Sequence, residues 1–369
     1  MPTPRTSRNS VIATFLAFHL SLFTVTPAGA QDFLRRSVVE EFTGTWCGNC
    51  PRGIVGMQRL SEDFGDRFIG IAIHTGTGEP MVIPTYPDVQ GDLLPGSGAP
   101  SCAIDRVKYK LDPYSGSGQR GATHYGIDAD FAAALAMPTE AKVELSAKWN
   151  DEYQWDVRCD VTTTFNIDSE TAPYRLILVL TEDGLKGTAD SWRQVNYYSS
   201  EYEKSTGVNY TDDDMKPWRD APYYVSGVEY NHVAVNTLGI RSGIQGSIAA
   251  PITAYEPQAY TGIVTTLASH AQKLIQDKNR LHAVAMLINT ATGEVVNAAK
   301  AAVRPYGSAA PIKGDVNGDG TVDVADISAI ITTMATTVGS GFAASTDVNG
   351  DGTVDVADIS AVINIMAEG

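Results

Sequence analysis

Residues 40–53 read EEFTGTWCGNCPRG and hold two of the four cysteines in the 369-residue chain, Cys47 and Cys50. The two cysteines are separated by two residues, follow Trp46 and precede Pro51. The hydrophobic stretch SVVEEFTGT leads into this motif, and CPRGIVGMQRLSEDF leaves it with the apolar spacing of a helix. The sequence therefore predicts a strand that passes through a tight cysteine turn into a helix, the start of an α/β unit.

A cysteine pair at this spacing is compatible with half of a zinc site, with a redox-active dithiol or with a static disulfide. A closed zinc site needs four ligands, usually two such pairs. The other cysteines, Cys102 and Cys159, are isolated, and no nearby histidine pair completes a site. The spacing therefore argues against zinc and leaves the redox dithiol and the static disulfide open.

Redox chemistry has a physical basis in the predicted helix start. Free backbone N–H groups and the positive end of the helix dipole favour a thiolate, so we expect the pKa of Cys47 to lie below its free value of about 8.5. Pro51 suits the first helical turn, where its missing N–H has no partner to lose. Cys50 lies one turn further on and is placed to resolve a mixed disulfide. Trp46 is expected to shield the pair.

Two residues outside the motif fit the same chemistry. Glu41 precedes Cys47 by six residues, and a buried carboxylate there can take the proton of the resolving thiol. Pro100 stands before the short strand SCAIDR, where a cis proline would set backbone beside the sulfurs. His74 ends the strand FIGIAIHT near the site, and we predict a structural role for it rather than that of a general base.

Apolar and polar residues alternate over much of residues 139–304. The segments AKVELSAKW, WDVRCDVTTTFNI and YRLILVLTEDG, with a hairpin in RLHAVAMLINTATGEVVNAAKAAV, predict antiparallel strands, most simply a β-sandwich. Cys159 falls on the buried face and Cys102 in a core; a bridge between them stays open. The aromatic-rich stretch 191–230 is predicted to pack on the sheet, or to stack on sugars or peptides, through nine side chains: Trp192, Tyr197, Tyr198, Tyr202, Tyr210, Trp218, Tyr223, Tyr224 and Tyr230.

The C-terminal tail contains the string DVNGDGTVDVADIS twice, which indicates a duplicated unit. Each copy places oxygen donors at alternating loop positions around a fixed glycine and ends on an acid at position 12, the spacing of an EF-hand loop. We therefore predict two Ca²⁺ sites, no organic cofactor, and folding of the tail driven by calcium. The predicted ligands are Asp315, Asn317, Asp319, Thr321, Asp323 and Asp326 in the first loop, and Asp347, Asn349, Asp351, Thr353, Asp355 and Asp358 in the second.

The formal net charge of −16 argues against nucleic acid and anionic membranes as partners. Half of it comes from residues 311–369, which hold nine acidic residues and one lysine. At the other end, Arg5 and Arg8 precede the apolar run VIATFLAFHLSLFTV and a small-residue triplet that ends at Ala30. This pattern predicts a signal peptide cleaved near Ala30, a periplasmic or extracellular location, possible cell-surface attachment and no transmembrane segment.

The order of strand, WCGNCP, helix, proline and strand resembles the thioredoxin fold. More closely, EEFTGTWCGNCPRG, IAIHTG with a following EPM, APSCAIDR, TEDG, RQVNYY and AMLINTATGEVVNAA resemble the thioredoxin-like outer-membrane-associated proteins of Bacteroidetes, the Omp-twenty-eight-like family, over about residues 35–304. The resemblance implies a thioredoxin fold followed by a β-sandwich. Carried over from thioredoxins, Cys47 is the nucleophile, Cys50 the resolving cysteine, Glu41 the buried acid and Pro100 the cis proline.

Residues 313–369 resemble a type I dockerin, which has two calcium loops, each followed by one helix, with Asp at position 12. The resemblance implies docking to a cohesin-like protein on a scaffold or a cell surface, within a polysaccharide-degrading complex. Loop positions 10 and 11, which carry recognition residues in dockerins, are here Val324–Ala325 and Val356–Ala357.

Together these features predict a secreted multi-domain protein, α/β plus all-β. Its parts are a signal peptide, a thioredoxin-like domain, an antiparallel β-sandwich, a linker and a small α-helical dockerin, over residues 1–30, 31–138, 139–304, 305–312 and 313–369. The leading hypothesis is a tethered thiol–disulfide oxidoreductase that acts on protein thiols or disulfides. Two alternatives stay open: a non-enzymatic surface or assembly protein with a structural Cys47–Cys50 disulfide, and a carbohydrate-binding component of a dockerin-organised complex.

Overall fold

The computed structural model describes residues 33–86, 98–118, 122–202, 210–308, 312–317, 321–336 and 345–368, and the predicted signal peptide lies outside these ranges. The strands in the described ranges are β1 (Ser37–Thr43), β2 (Phe68–His74), β3 (Ser101–Ile104), β4 (Lys108–Leu111), β5 (Ala141–Trp149), β6 (Asp156–Phe165), β7 (Tyr174–Glu182), β8 (Gln194–Val195), β9 (Tyr224–Val225), β10 (Val233–Leu238), β11 (Pro257–Thr265), β12 (Leu281–Asn289) and β13 (Val295–Arg304). The α-helices there are α1 (Pro51–Phe64), α2 (Ile127–Leu135), α3 (Lys216–Asp220), α4 (Ser269–Leu274), α5 (Val324–Thr336) and α6 (Val356–Glu368).

The first part of the described chain is an α/β arrangement around β1. β1 is parallel to β2 and antiparallel to β3, and β4 extends the sheet beside β3. β1 and β2 are buried along their whole length because helices or other strands cover both faces. β2 is accordingly a largely apolar run, whereas β1 also buries Glu40 and Glu41. Helix α1 packs against α2 and β2. Pro51 occupies the first turn of α1, as the sequence predicts.

The β-rich part begins with β5 and β6, whose alternating buried and partly exposed residues follow the predicted period of two. β7, β12 and β13 are also antiparallel neighbours, and β11 pairs with β6. β13 pairs with β5 at only two residue positions, and β11 packs on β7 and β10, so the strands β5, β6 and β11 form a second layer. At this contact the backbone of Gly262 lies against the side chain of Leu178.

One hydrogen-bonded sheet joins the two parts of the chain, in the order β11-β6-β5-β13-β12-β7-β10-β2-β1-β3-β4. The connection is made by β10, which pairs with β7 on one side and with β2 on the other. The backbone N–H of Ala72 donates to the carbonyl of His232 at 2.7 Å. The fold is therefore mixed α/β with a large β-sheet, whereas the sequence suggested a separate β-sandwich. The domain boundaries stay predictions.

The tail packs around a small core of its own. Helices α5 and α6 contact one another, and Ile330, Val348 and Val362 are buried between them and the loops. The two helices begin at equivalent residues of the repeats, Val324 and Val356. No helix among the described residues has the length and apolar character needed to cross a membrane.

Candidate functional site

The cysteine motif forms a compact turn ahead of helix α1. The N–H of Cys47 donates to Gly44 O at 3.1 Å, and the N–H of Cys50 donates to Cys47 O at 3.0 Å. Cys50 is the N-cap of the helix, and its carbonyl accepts the N–H groups of Gly53 and Ile54. The two cysteines are joined by a disulfide. The helix thus begins after the pair, and Cys47 lies in the preceding turn rather than at the helix start that the sequence suggested.

The disulfide lies beneath residues 194–198, which we call the cover segment or cover. Nothing in the sequence indicates that these residues contact the cysteine pair. Gln194 Nε2 donates to Cys47 O at 2.9 Å, and Tyr197 N donates to Gly48 O at 2.8 Å. Cys50 is fully buried and Cys47 is 4% exposed. RQVNYY, one of the stretches that carry the family resemblance, includes the cover. Its sequence does not indicate which part of the chain the cover contacts.

Trp46 lies to one side of the turn and is 49% exposed. Its Nε1 donates to Thr75 O at 2.6 Å, and its ring lies against the backbone of Gly44 and Gly76. The indole is therefore fixed next to the pair, whereas direct hydrogen bonds to the backbone of the cysteine turn come from the cover segment.

A buried arginine links helix α1 to this cover. The Arg52 guanidinium donates to Asp112 Oδ2 at 2.7 Å and to the Tyr198 hydroxyl at 2.8 Å. Tyr198 OH in turn donates to Asn49 O at 3.4 Å. The first turn of the helix, the cover and the loop after β4 are held together by these contacts, because a buried guanidinium needs its hydrogen-bond partners to offset its desolvation.

Glu41 is buried in the interior next to helix α1. Its Oε1 has no hydrogen-bond partner among the described residues. A Cβ added at Gly53 would lie 2.0 Å from that oxygen and 3.2 Å from Pro100 Cβ, so the three residues converge. Burial, with Asp112 nearby, raises the pKa of Glu41 to about 8, although Arg52 opposes the shift.

Pro100 and Cys102 lie on the neighbouring segment. The Ala99–Pro100 peptide bond is cis, and Pro100 is buried. Cys102 pairs with Glu41 across the β1–β3 ladder, and burial raises the pKa of its thiol well above the usual value. Cys102 and Cys159 are both free and buried, so the bridge that the sequence left open between them does not form.

A second carboxylate, which is not among the predicted site residues, holds Thr45 next to Trp46. Glu79 is buried, and its Oε2 accepts the N–H and the hydroxyl of Thr45 at 2.7 and 2.8 Å. Its Oε1 lies 2.9 Å from His74 Nδ1. His74 is buried as well, and its structural role stays a prediction. Glu79 is the first residue of the stretch EPM quoted above, and that stretch was the only signal for this residue in the sequence.

The first predicted calcium loop is organised around Asp326, which is fully buried. Its Oδ1 accepts the backbone N–H groups of Val316 and Asn317, and its Oδ2 accepts that of Asp323 at 2.8 Å. Asp319 lies outside the described residues. The position-12 carboxylate thus closes the loop onto the start of α5.

The second loop repeats the arrangement around Asp358, also fully buried, whose oxygens accept the N–H groups of Asn349 and Asp355. Asp347 accepts three further loop N–H groups, and burial raises its pKa. Within the described ranges no group of three or more His, Cys, Asp or Glu side chains is gathered closely enough to hold a metal ion. The donor set is nevertheless all oxygen, which is the chemistry that Ca²⁺ prefers.

Comparison with solved structures gives matches at low sequence identity. HBP35 of Porphyromonas gingivalis aligns with 76% of this chain and 80% of its own length, at 16% identity and a TM-score of 0.50. A structural-genomics target from Agrobacterium tumefaciens aligns with 77% of this chain and 100% of its own, at 12% identity and a TM-score of 0.38. A domain of the outer membrane lipoprotein Omp28 from P. gingivalis aligns with 45% and 90%, at 14% identity and a TM-score of 0.22.

At such identities the likeness to HBP35 concerns the fold alone. The chain matches no curated protein. Residues 313–367 match the family model of the dockerin type I domain. The tail is therefore similar to modules that bind calcium and attach proteins to a cohesin.

Proposed function

We propose that this protein is a secreted thiol–disulfide oxidoreductase with a thioredoxin-like active site, attached through its dockerin to a cohesin-bearing scaffold or cell surface. The observation that carries the redox part is Glu41, a buried carboxyl with a raised pKa and an unpartnered oxygen, packed behind the helix that begins at the disulfide. Perturbed carboxyls of this kind concentrate at functional sites because a catalytic acid or base needs a pKa that suits its task.

The two cysteines differ in solvent exposure, as thiol–disulfide exchange requires. Cys47 retains some exposure and Cys50 has none, so an incoming sulfur reaches Cys47 first. In the oxidising direction a substrate thiolate attacks Cys47 Sγ, the bond to Cys50 breaks, and Cys50 leaves as a thiolate that takes the proton of Glu41. A second substrate thiolate then attacks the substrate sulfur of the mixed disulfide and releases Cys47.

This sequence of steps balances. Two electrons pass from the substrate dithiol to the Cys47–Cys50 pair, and the substrate gains one disulfide. A second thiol–disulfide couple returns the pair to its oxidised form. Glu41 matters in this scheme because a buried thiolate without a cation is costly, and the proton neutralises it. The charge then rests on a carboxylate whose ionised form is favoured by Arg52.

The second candidate is a non-enzymatic protein in which the disulfide only stabilises the turn. It is favoured by the small exposure of Cys47, 4%, and by the hydrogen bonds that hold the cover over the turn. Under this alternative the cover never opens and Glu41 is a core residue.

For the tail, the predicted ligands of the two loops would hold Ca²⁺ through carboxylate, amide and backbone oxygens. Bound calcium would neutralise the carboxylates that crowd each loop and so favour the folded dockerin. A cohesin is the partner that such a module implies, and dockerin proteins are typically extracellular or attached to a cell surface. Val324 and Val356, each 67% exposed, occupy equivalent positions of the two repeats on the surface that a partner can reach.

Replacing Cys50 with Ser tests the exchange chemistry. In Cys50→Ser the Cys47 thiolate should attack oxidised glutathione, form a mixed disulfide that nothing resolves, and release one reduced glutathione. Intact-mass spectrometry should show this adduct at neutral pH. The matched control, Cys47→Ser, should react at least about ten-fold more slowly because Cys50 is buried. Equal, negligible adduct formation by both folded variants would favour the structural disulfide.

Replacing Glu41 with Gln tests the burial of the acid. The pKa of Glu41 is raised in the folded state from 4.5 to about 8, so its contribution to stability is complete below the lower value and is lost as the pH rises through the higher one. Relative to wild type, Glu41→Gln should therefore gain free energy of unfolding between about pH 5 and pH 8, by up to about 1.4 kcal/mol per pH unit.

Urea denaturation of the oxidised proteins at a series of pH values measures this difference. Glu170→Gln, at an exposed glutamate, is the control and should follow wild type at every pH. A difference between Glu41→Gln and wild type that stays constant across the range would contradict a raised pKa.

Calcium titration tests the two loops. Isothermal calorimetry on the chelator-treated full chain should give about two Ca²⁺ per chain, and circular dichroism should show a gain of helix that chelator reverses. Asp326→Asn should reduce the stoichiometry to about one, and Glu170→Gln should leave it unchanged. A wild-type chain that binds no calcium at millimolar concentration would rule out the proposed sites.

A further inference from the structure

Four tyrosines pack together beside the cysteine turn, and we call Tyr197, Tyr202, Tyr223 and Tyr224 the aromatic surface. The rings of Tyr197 and Tyr202 stack with centroids 4.7 Å apart, and Tyr197 also stacks on Tyr223 at 6.0 Å. Tyr223 meets Tyr224 edge to face at 4.6 Å. The Arg193 guanidinium lies over the Tyr224 ring, 5.0 Å from its centroid. The four rings therefore form one continuous cluster.

This cluster is attached directly to the redox turn. Tyr197 N donates to Gly48 O, between the two cysteines, and a Cβ added at Gly48 would lie 2.2 Å from the Tyr197 ring. Val195 N donates to Thr45 O at 2.8 Å on the other side of Cys47. The ring of Tyr197 thus lies directly against Gly48, one of the two residues between the cysteines.

Core packing does not account for the aromatic surface. In the described part of the chain, none of its four tyrosines belongs to a buried hydrophobic cluster, whereas Tyr198 and Tyr210 from the same region do. Tyr224 is 50% exposed and the other three are partly exposed. Tyrosines that keep an apolar ring and a polar hydroxyl at the surface are typical of binding sites for other chains.

We propose that the aromatic surface is the docking site for the substrate of the cysteine pair, and that its occupant is an extended polypeptide segment with an aromatic side chain next to its cysteine. This inference rests on the proposed function and specifies its substrate class. The thiol to be oxidised must approach Cys47, and the Tyr197 ring lies against Gly48, the next residue along the chain. The aromatic surface therefore flanks the approach to Cys47.

The geometry favours a polypeptide over a sugar. Stacking covers the ring faces of Tyr197 and Tyr223, so edges and hydroxyl groups, rather than open flat faces, meet a ligand. An aromatic side chain engages such edges through T-shaped contacts. In addition, β9 carries Tyr224 and pairs only with β8 within the described residues, so its other edge is available to an extended backbone.

The test measures single-turnover reduction of the oxidised full chain by three dithiols: dithiothreitol, a Cys-containing dithiol peptide with Phe beside each cysteine, and the same peptide with Ser in place of Phe. Alkylation and mass spectrometry follow the loss of the Cys47–Cys50 disulfide. Wild type should react about five-fold faster with the Phe peptide than with the Ser peptide.

Tyr224→Ala should remove most of this preference, and a circular dichroism spectrum that matches wild type shows that the variant is folded. The matched control is Tyr306→Ala, at a 57% exposed tyrosine elsewhere, and it should keep the preference.

The outcomes separate the two proposals. If wild type reacts with dithiothreitol but shows no preference for Phe, or if Tyr224→Ala keeps the preference, the docking inference is wrong and the redox function stands. If the folded wild type reacts with none of the three, the redox function fails and the inference fails with it. Binding of soluble cello-oligosaccharides that Tyr224→Ala abolishes, with peptide rates unchanged, would instead make the aromatic surface a carbohydrate site and overturn the inference.

Discussion

Hydrogen bonds from the cover segment to the cysteine turn are the constraint on which the site depends. Gln194, Val195 and Tyr197 bind the backbone of Cys47, Thr45 and Gly48, so a late part of the chain completes a turn near its beginning. The contacts limit access to the disulfide and place the aromatic surface beside it. They also require both parts of the sheet to be folded, since the cover emerges from the β-rich part while the turn follows β1. Site and sheet therefore form together.

Behind the turn, the raised pKa of the Glu41 carboxyl would make this degree of burial compatible with the proposed sulfur chemistry. A disulfide carries no charge, so its burial away from water costs little. Cleavage of the disulfide creates a thiolate in the same buried site, and burial of that charge is costly. In the proposed exchange Glu41 would supply a proton to this thiolate, and Arg52 would favour the carboxylate that remains. Fully buried positions are usually occupied by apolar residues, so core packing alone does not explain a glutamate at position 41. The cost of keeping an unpartnered carboxyl oxygen inside the protein is the strongest physical reason to connect it with function.

The sequence revealed what depends on neighbours along the chain. The alternation of β5 and β6, the first turn of α1 with Pro51, and the dockerin-like repeats of the tail all follow from local periodicity or fixed spacing. It did not reveal β10, β11 or the cover, because short strands and an aromatic loop carry no period, and their partners are set by tertiary contacts. Glu41 could be found because a strand leads from it to the cysteines. Glu79 and Tyr197 could not, since their roles arise from hydrogen bonds across long separations.

The reduction potential of the Cys47–Cys50 pair tests the central claim most directly. The full chain, with Cys102 and Cys159 replaced by Ala so that only the pair responds, is equilibrated in glutathione buffers and quenched by alkylation. For a pair that exchanges with substrates we expect a potential between about −270 and −120 mV, the range of thiol–disulfide oxidoreductases. A potential below about −300 mV, where structural disulfides of secreted proteins lie, would contradict it.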